Sequence, residues 1–284
     1  MIGEPFPEDR HGPPAASCGL GLRREHYEDV LTSSPAVPFF EAITENFMVD
    51  GGRPLDVLGR VRAEYPVALH GVSLSIGSAE PLDESYLQRL ERLVARVEPA
   101  IVSDHLCWTS LAGHNSHDLL PLPFTEEAVS VAAEKIRRVQ DRLGRRILIE
   151  NVSTYLRFTH SAMSEPEFVA EVARRADCGI LLDINNVYVN ARNHGFDPEE
   201  YLAAMPAARV GQYHLAGHQD HGDHVIDTHD SEVVEAVWRL YASALRSIGP
   251  RPTIIERDDN IPPFGELCSE MGRAQEVLDG SLVA

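Results

Sequence analysis

The feature that most constrains this chain is an eightfold alternation of short apolar runs with amphipathic stretches. The runs are Gly19–Leu22, Phe39–Glu45, Val67–Gly71, Ala100–His105, Arg146–Asn151, Gly179–Asn185, Arg209–Ala216 and Thr253–Arg257. Between them, helical periodicity covers Arg24–Ser33, Leu55–Glu64, Ser85–Val97, Glu126–Leu143, Glu165–Arg175, Pro198–Ala204, Glu232–Arg246 and Phe264–Leu278. A strand and a helix repeating at near-constant spacing is the signature of βα units around a parallel sheet. Ile147-Leu148-Ile149 and Ile180-Leu181-Leu182 are continuously apolar, as strands covered on both faces must be. Eight units predict one (β/α)8 TIM barrel over residues 17–284. A doubly wound sheet competes, but no G-x-G-x-x-G follows the first strand.

Helix starts carry their own chemistry. Thr125, Ser164, Asp197 and Ser231 each precede an acidic first turn, where a side-chain oxygen can cap free backbone N–H groups. In the fourth helix Ala128, Val131, Ala132, Ile136, Val139 and Leu143 form one stripe that can pack on a sheet. Residues 1–16 hold four Pro and lack a basic segment followed by an apolar one, which predicts a flexible tail rather than a signal peptide.

Charge and cysteine usage narrow the function classes. With 25 Lys+Arg against 44 Asp+Glu, the chain carries a formal charge of −19 and no basic run, a poor match for nucleic acid. Cys18, Cys107, Cys178 and Cys268 form no C-x-x-C pair, so buried free thiols are expected. No apolar stretch approaches the ~18–20 residues of a membrane helix, and a soluble, cytoplasmic protein is expected. The unusual number is 13 His, because imidazole is the commonest metal ligand.

Barrel enzymes build their sites at the C-terminal ends of the strands, and those ends are lopsided here. Strand two finishes on Glu45-Asn46, three on His70, four on Asp104-His105, five on Glu150-Asn151, six on Asp183 with Asn185-Asn186, seven on His214 and eight on Glu256-Arg257-Asp258. Any one of these could be an ordinary cap. Together they would gather charge at severe desolvation cost unless cations sat among them. Imidazole and carboxylate without thiolate suit Fe(II), Mn(II) or Zn(II) in clusters of two or three. Asp227-Thr-His229 adds a D-x-H pair, which extended backbone would direct to one side. His218, His221 and His224 lie among Gly and Asp and read as a solvated loop; His11, His26, His114, His117 and His160 take no role, and His194 is placed within reach of the mouth.

These motifs resemble a family. Glu45-Asn46-Phe47, His70-Gly71-Val72-Ser73-Leu74-Ser75, Ser103-Asp104-His105-Leu106, Glu150-Asn151-Val152-Ser153, Leu182-Asp183-Ile184-Asn185-Asn186, Tyr213-His214-Leu215-Ala216-Gly217-His218 and Asp227-Thr228-His229 are similar to those of the DUF692, or UPF0276, barrel proteins. These are multinuclear non-haem iron-dependent oxidative enzymes of xylose-isomerase-like fold. The resemblance covers Gly19 to about Asp279 and implies two or three iron ions, in mixed Fe(II)/Fe(III) states, held by His70, His105, Glu150, Asp183, Asn186, His214, Asp227, His229 and Glu256. Catalysis is expected to centre on Asp183, His214 and Glu256; Glu45, Asp104, Asn151, His194 and Asp258 lie near the mouth, where such residues either orient ligands or serve as strand-end caps and loop residues. The resemblance further implies O2 as co-substrate, a Cys-containing ribosomally made precursor peptide as substrate, and a partner protein that presents the peptide leader.

Two enzyme alternatives share the barrel. Endonuclease IV, a trinuclear zinc phosphodiesterase, has D-x-x-H after strand six, where this chain has Asp183-Ile-Asn-Asn186, and its DNA substrate sits badly with −19. Xylose-isomerase-like sugar enzymes are a looser match. A metal-binding or leader-peptide-binding module without turnover is the non-enzymatic reading.

Overall fold

Eight parallel strands close on themselves to form the barrel wall in this computed structural model, which describes residues 13, 15–111 and 113–283. The expected tail, residues 1–16, lies almost wholly outside the described residues. The strands in chain order are β1 (Cys18–Gly21), β2 (Phe40–Ile43), β3 (Val67–Gly71), β4 (Ile101–His105), β5 (Trp108–Leu111), β6 (His114–Leu120), β7 (Leu148–Glu150), β8 (Gly179–Asp183), β9 (Val210–Leu215), β10 (His218–Asp220), β11 (Val225–Asp227) and β12 (Thr253–Ile255). The barrel runs β1-β2-β3-β4-β7-β8-β9-β12 and back to β1, which is the expected TIM topology. The remaining strands pair as two antiparallel hairpins, β5 with β6 and β10 with β11.

The helices are α1 (Tyr27–Ser33), α2 (Arg53–Glu64), α3 (Glu84–Val97), α4 (Glu126–Leu143), α5 (Glu165–Ala176), α6 (Ile184–His194), α7 (Pro198–Ala204), α8 (Glu235–Ser247) and α9 (Phe264–Val283). Three expected caps are present. Thr125 accepts from the Ala128 N–H, Asp197 from the Glu199 N–H, and the Ser164 N–H donates to Glu167, closing a capping box. The fourth is not: α8 starts at Glu235, and Ser231 stays in the preceding loop, where the Val233 N–H donates to Glu270 instead. The stripe of α4 is turned by about one position, with Val129, Ala132, Ala133, Ile136 and Val139 buried.

Two further corrections matter for the site. The apolar run expected as a strand to Asn185 stops at Asp183, whose side chain caps α6 by accepting from the Asn186 N–H at 2.7 Å. The helix gives no periodic signal because it is buried on nearly all sides, with three Asn among its buried residues. The loop after β9 is likewise organised, as the hairpin β10–β11.

Register sets the chemistry at one height. Asp183 lies beside His214, His105 beside Glu150, and His70 beside Ser103 in neighbouring strands. Along β9 the period-2 alternation sends Gln212 and His214 into the barrel, while Tyr213 packs edge-on against Tyr241 of α8. All four cysteines are free, three of them buried, and burial pushes the Cys18 and Cys178 thiols up to about 12. Among the described residues no helix is long and apolar enough to cross a membrane.

Candidate metal centre

Glu150, at the end of β7, is the hub. Its Oε2 lies 3.2 Å from Nε2 of His70 and 3.2 Å from Nε2 of His105, and its Oε1 lies 3.4 Å from Nδ1 of His214. The same His214 nitrogen is 3.0 Å from Glu256 Oε2, which stands 3.4 Å from Nδ1 of His229. His229 in turn meets Asp227 at 2.8 Å and Asp258 at 3.0 Å. Three sets of converging donor atoms result: His70, Glu150 and His214; Glu150, Asp183, His214 and Glu256; and His229, Glu256 and Asp258.

Five buried polar atoms at this mouth make no well-directed hydrogen bond: Glu150 Oε2, Asp183 Oδ2, Asn186 Oδ1, His214 Nδ1 and His229 Nε2; the first and the last two have only the charged contacts given above. Orphaned buried oxygens and nitrogens each cost about 1–3 kcal/mol or more, and folds satisfy nearly all of them. Here the orphans are the atoms that a cation would take, so the residues fit a metal cluster. Carboxylate oxygen mixed with imidazole, with no thiolate, suits divalent first-row ions.

The backs of the rings are held. His70 Nδ1 bonds Ser103 Oγ at 2.8 Å, and His105 Nδ1 bonds the Gly71 carbonyl at 3.0 Å. Asn151 accepts the Asp183 N–H and donates to the Asp183 carbonyl, while its own carbonyl accepts from Asn186 Nδ2. Asn186, Asn190 and His194 stand one helical turn apart on one face of α6. Each fastens the segment after β7: Asn190 through the Val152 carbonyl and the Thr154 N–H, and His194 through Thr154 Oγ1 at 2.6 Å.

Charge balance inside the mouth is strained. Burial alone would raise Glu150, but the imidazoles of His105, His214 and His70 outweigh it and hold the carboxyl below its ordinary range. Glu256 is held well below for the same reason, by His214 and His229 against burial. Burial disfavours imidazolium at His214 and His229, yet Glu256 at the first and Asp227 at the second raise both well above the ordinary histidine value. At Asp183, burial followed by the negative field of Glu150 outweighs the imidazoles of His229 and His214 and pushes the carboxyl well up. A bound cation would take over the role of the imidazolium protons.

The structure brings together His70, His105, Glu150, Asp183, Asn186, His214, Asp227, His229 and Glu256 around this mouth, with Asp258 at its more open edge. Other expected orienting residues stand further out. Glu45 sits in a short 3-10 turn after β2 and accepts from the Val72 N–H and the Tyr86 hydroxyl. Asp104 turns to the loop after β3, accepting from the Leu74 and His105 N–H groups; burial and Glu45 push its carboxyl well up. His194 bonds Thr154 and no residue of the cluster.

Asp227 and His229 do meet, but not through extended backbone: His229 has φ +50°, so a left-handed turn brings the ring back. His218 departs from the expected solvated loop. It is buried, bonded to Asn185 Oδ1 at 2.7 Å and stacked on Tyr188, whereas His221 and His224 are exposed. The tight seat of the loop is visible at Gly217, where an added Cβ would lie 2.2 Å from the Ser231 carbonyl. Sequence reasoning missed Glu41 altogether. It lies inside the barrel one residue into β2, its Oε1 2.8 Å from His214 Nε2 and its Oε2 accepting from Gln212 at 2.6 Å.

Fold and site together define a TIM barrel with a buried, metal-capable centre at its C-terminal mouth. Solved structures agree on the fold. A D-psicose 3-epimerase, crystallised with D-fructose, superposes with TM-score 0.57 at 11% identity, covering 94% of this chain and 97% of that one. Endonuclease IV from Thermus thermophilus gives 0.57 at 15%, covering 94% and 98%. The particular family follows from sequence: the chain belongs to the RiPP precursor modification enzymes of the MbnB/TglH/ChrH family, whose model matches residues 17–279. A UPF0276 protein of Anaeromyxobacter sp. (strain Fw109-5) is 59% identical over 266 residues, 94% of each chain. Another from Chromobacterium violaceum is 45% identical over 264 residues, 93% of this chain and 95% of that one.

Proposed function

We propose that this enzyme is an iron-dependent, O2-using oxidase that modifies cysteine residues of a ribosomally synthesised peptide. The observation that carries the reading is the set of five orphaned donor atoms around Glu150, in a chain of a family that modifies RiPP precursors. His70, His105, Glu150, Asp183, Asn186, His214, Asp227, His229 and Glu256 would hold two or three iron ions. When bound, the irons supply the activation of O2 and the electron-transfer steps by which the cysteine is oxidised.

The chain's own residues supply the rest. The carboxylates of Glu150, Asp183 and Glu256 would favour the higher oxidation state of a bound iron, and the imidazoles would retain it when reduced. Burial and the field of Glu150 push the Asp183 carboxyl well up, so proton and metal would compete there. The buried barrel interior beneath His70 and His214 excludes water from the reacting side. At the rim, Tyr155 and Leu156 are each 53% exposed and offer an apolar shelf to a peptide; a partner protein would present the leader.

Elemental analysis of anaerobically prepared protein tests the metal, and O2 consumption with a Cys-containing peptide tests the reaction. Iron with peptide-dependent O2 uptake is the expected result. Stoichiometric zinc without iron, together with cleavage of abasic DNA, would hand the site to the phosphodiesterase reading.

A further inference from the structure

The histidines of the mouth are not mounted alike. His70 and His105 tie Nδ1 to a neighbour, Ser103 and the Gly71 carbonyl respectively, and turn Nε2 to Glu150. His214 is reversed. Its Nε2 points down the barrel to Glu41 Oε1 at 2.8 Å, and its Nδ1 is the orphan atom facing Glu150 and Glu256 at 3.4 and 3.0 Å.

Glu41 makes that reversal compulsory. It reaches His214 across the barrel interior, from far earlier in the chain and from a strand that does not neighbour β9. Its carboxyl is 3% exposed, so it needs donors for both oxygens. Gln212, two residues before His214 on the same inward face, donates to Oε2. The donor left for Oε1 is the ring N–H of His214, whose Nε2 lies 3.2 Å from Gln212 Nε2 and nearer, at 2.8 Å, to Glu41, so the two nitrogens share one carboxylate as parallel donors. A neutral imidazole carries one proton, so a proton on Nε2 leaves the lone pair on Nδ1. Metal-binding histidines regularly donate the other ring N–H to a carboxylate, which fixes tautomer and orientation and raises ligand basicity.

We propose that Glu41 is a positioning residue that accepts the Nε2 proton of His214, sets the tautomer of that ring, and presents Nδ1 as its metal-binding atom. The inference rests on the mouth being a metal centre, and its test separates the two. Metal-free wild type, Glu41→Ala, Glu41→Gln and His214→Ala are titrated with Co(II), with folding of each checked by circular dichroism. Glu41→Ala should bind about 10–100-fold more weakly. Glu41→Gln should recover most of that loss, because its amide oxygen accepts the same N–H.

Nitrogen-15 spectra of histidine-labelled, metal-free protein at alkaline pH should show the His214 proton on Nε2 in wild type and Glu41→Gln. Wild-type affinity in Glu41→Ala alongside lost binding in His214→Ala would overturn the role of Glu41 and leave the metal centre standing. Equal Co(II) binding by wild type and His214→Ala would overturn the metal reading at His214 itself. Should Glu41→Ala fail to fold, the spectra decide, and a proton on Nδ1 in wild type sinks the proposal.

Discussion

Asn151 holds both backbone polar groups of Asp183, accepting from its N–H at 2.9 Å and donating to its carbonyl at 3.0 Å. The grip crosses from the end of β7 to the end of β8 and fixes where the Asp183 carboxylate can point. Asn151→Asp keeps size and one acceptor but loses the Nδ2 donor and sets a carboxylate beside a carbonyl. Metal affinity should fall roughly 10–100-fold while far-ultraviolet circular dichroism stays unchanged. Unaltered affinity by isothermal titration would show that the grip is dispensable.

Asp183 itself trades stability for binding. It is wholly buried, and burial together with Glu150 pushes its carboxyl well above the ordinary range. Asp183→Asn keeps Oδ1 for the Asn186 N–H and places a donor at the orphan Oδ2 position. The metal-free variant should melt at or above metal-free wild type, by up to about 2 kcal/mol in stability, yet bind metal far more weakly. His214→Ala should also lose metal while the barrel stays folded. Full metal content in both variants would place the centre elsewhere.

Metal should be worth stability to the whole barrel, because the orphan donors are satisfied only when it binds. At a free concentration one hundred times the dissociation constant, linkage gives about 2.7 kcal/mol, or roughly 5 °C in melting temperature for a chain of this size. Calorimetry with and without a chelator checks this. A chelator that leaves the melt unchanged would mean that the mouth holds no ion.

Glu165 makes a pH prediction outside the metal centre. Burial lifts its carboxyl from an ordinary 4.5 to about 7, despite hydrogen bonds from Tyr201 and Asn190. The folded state therefore binds this proton more tightly than the unfolded chain, so the contribution is complete below about pH 4.5 and is lost as pH rises through 7. Glu165→Gln should match wild type near pH 5 and be more stable at pH 8, by on the order of 3 kcal/mol at the limit. Parallel urea midpoints across that range would refute it.

The barrel is legible in the sequence because its strands are buried on both faces and so read as continuous apolar runs, as in Ile180-Leu181-Leu182. Candidate ligands are legible because they stand where those runs end. What escapes has no local signal. Helix α6 begins on the residue that follows the end of β8 and is too buried to alternate. Glu41 sits within a strand rather than at its end, and its partners Gln212 and His214 lie on a strand far along the chain. The meeting of Asp227 with His229 depends on one left-handed residue, a conformation that a D-x-H spelling does not announce.

The ladder of Asn186, Asn190 and His194 gives the loop after β7 a direction of loosening. Its rungs lie one helical turn apart, fully buried near Asp183 and only half-buried at His194. Local opening starts at the most exposed end of such a structure, so release of Thr154 from His194 would precede release of Asn151 from Asn186. The rung that holds longest is thus the one at Asn151, beside Asp183 and Glu150.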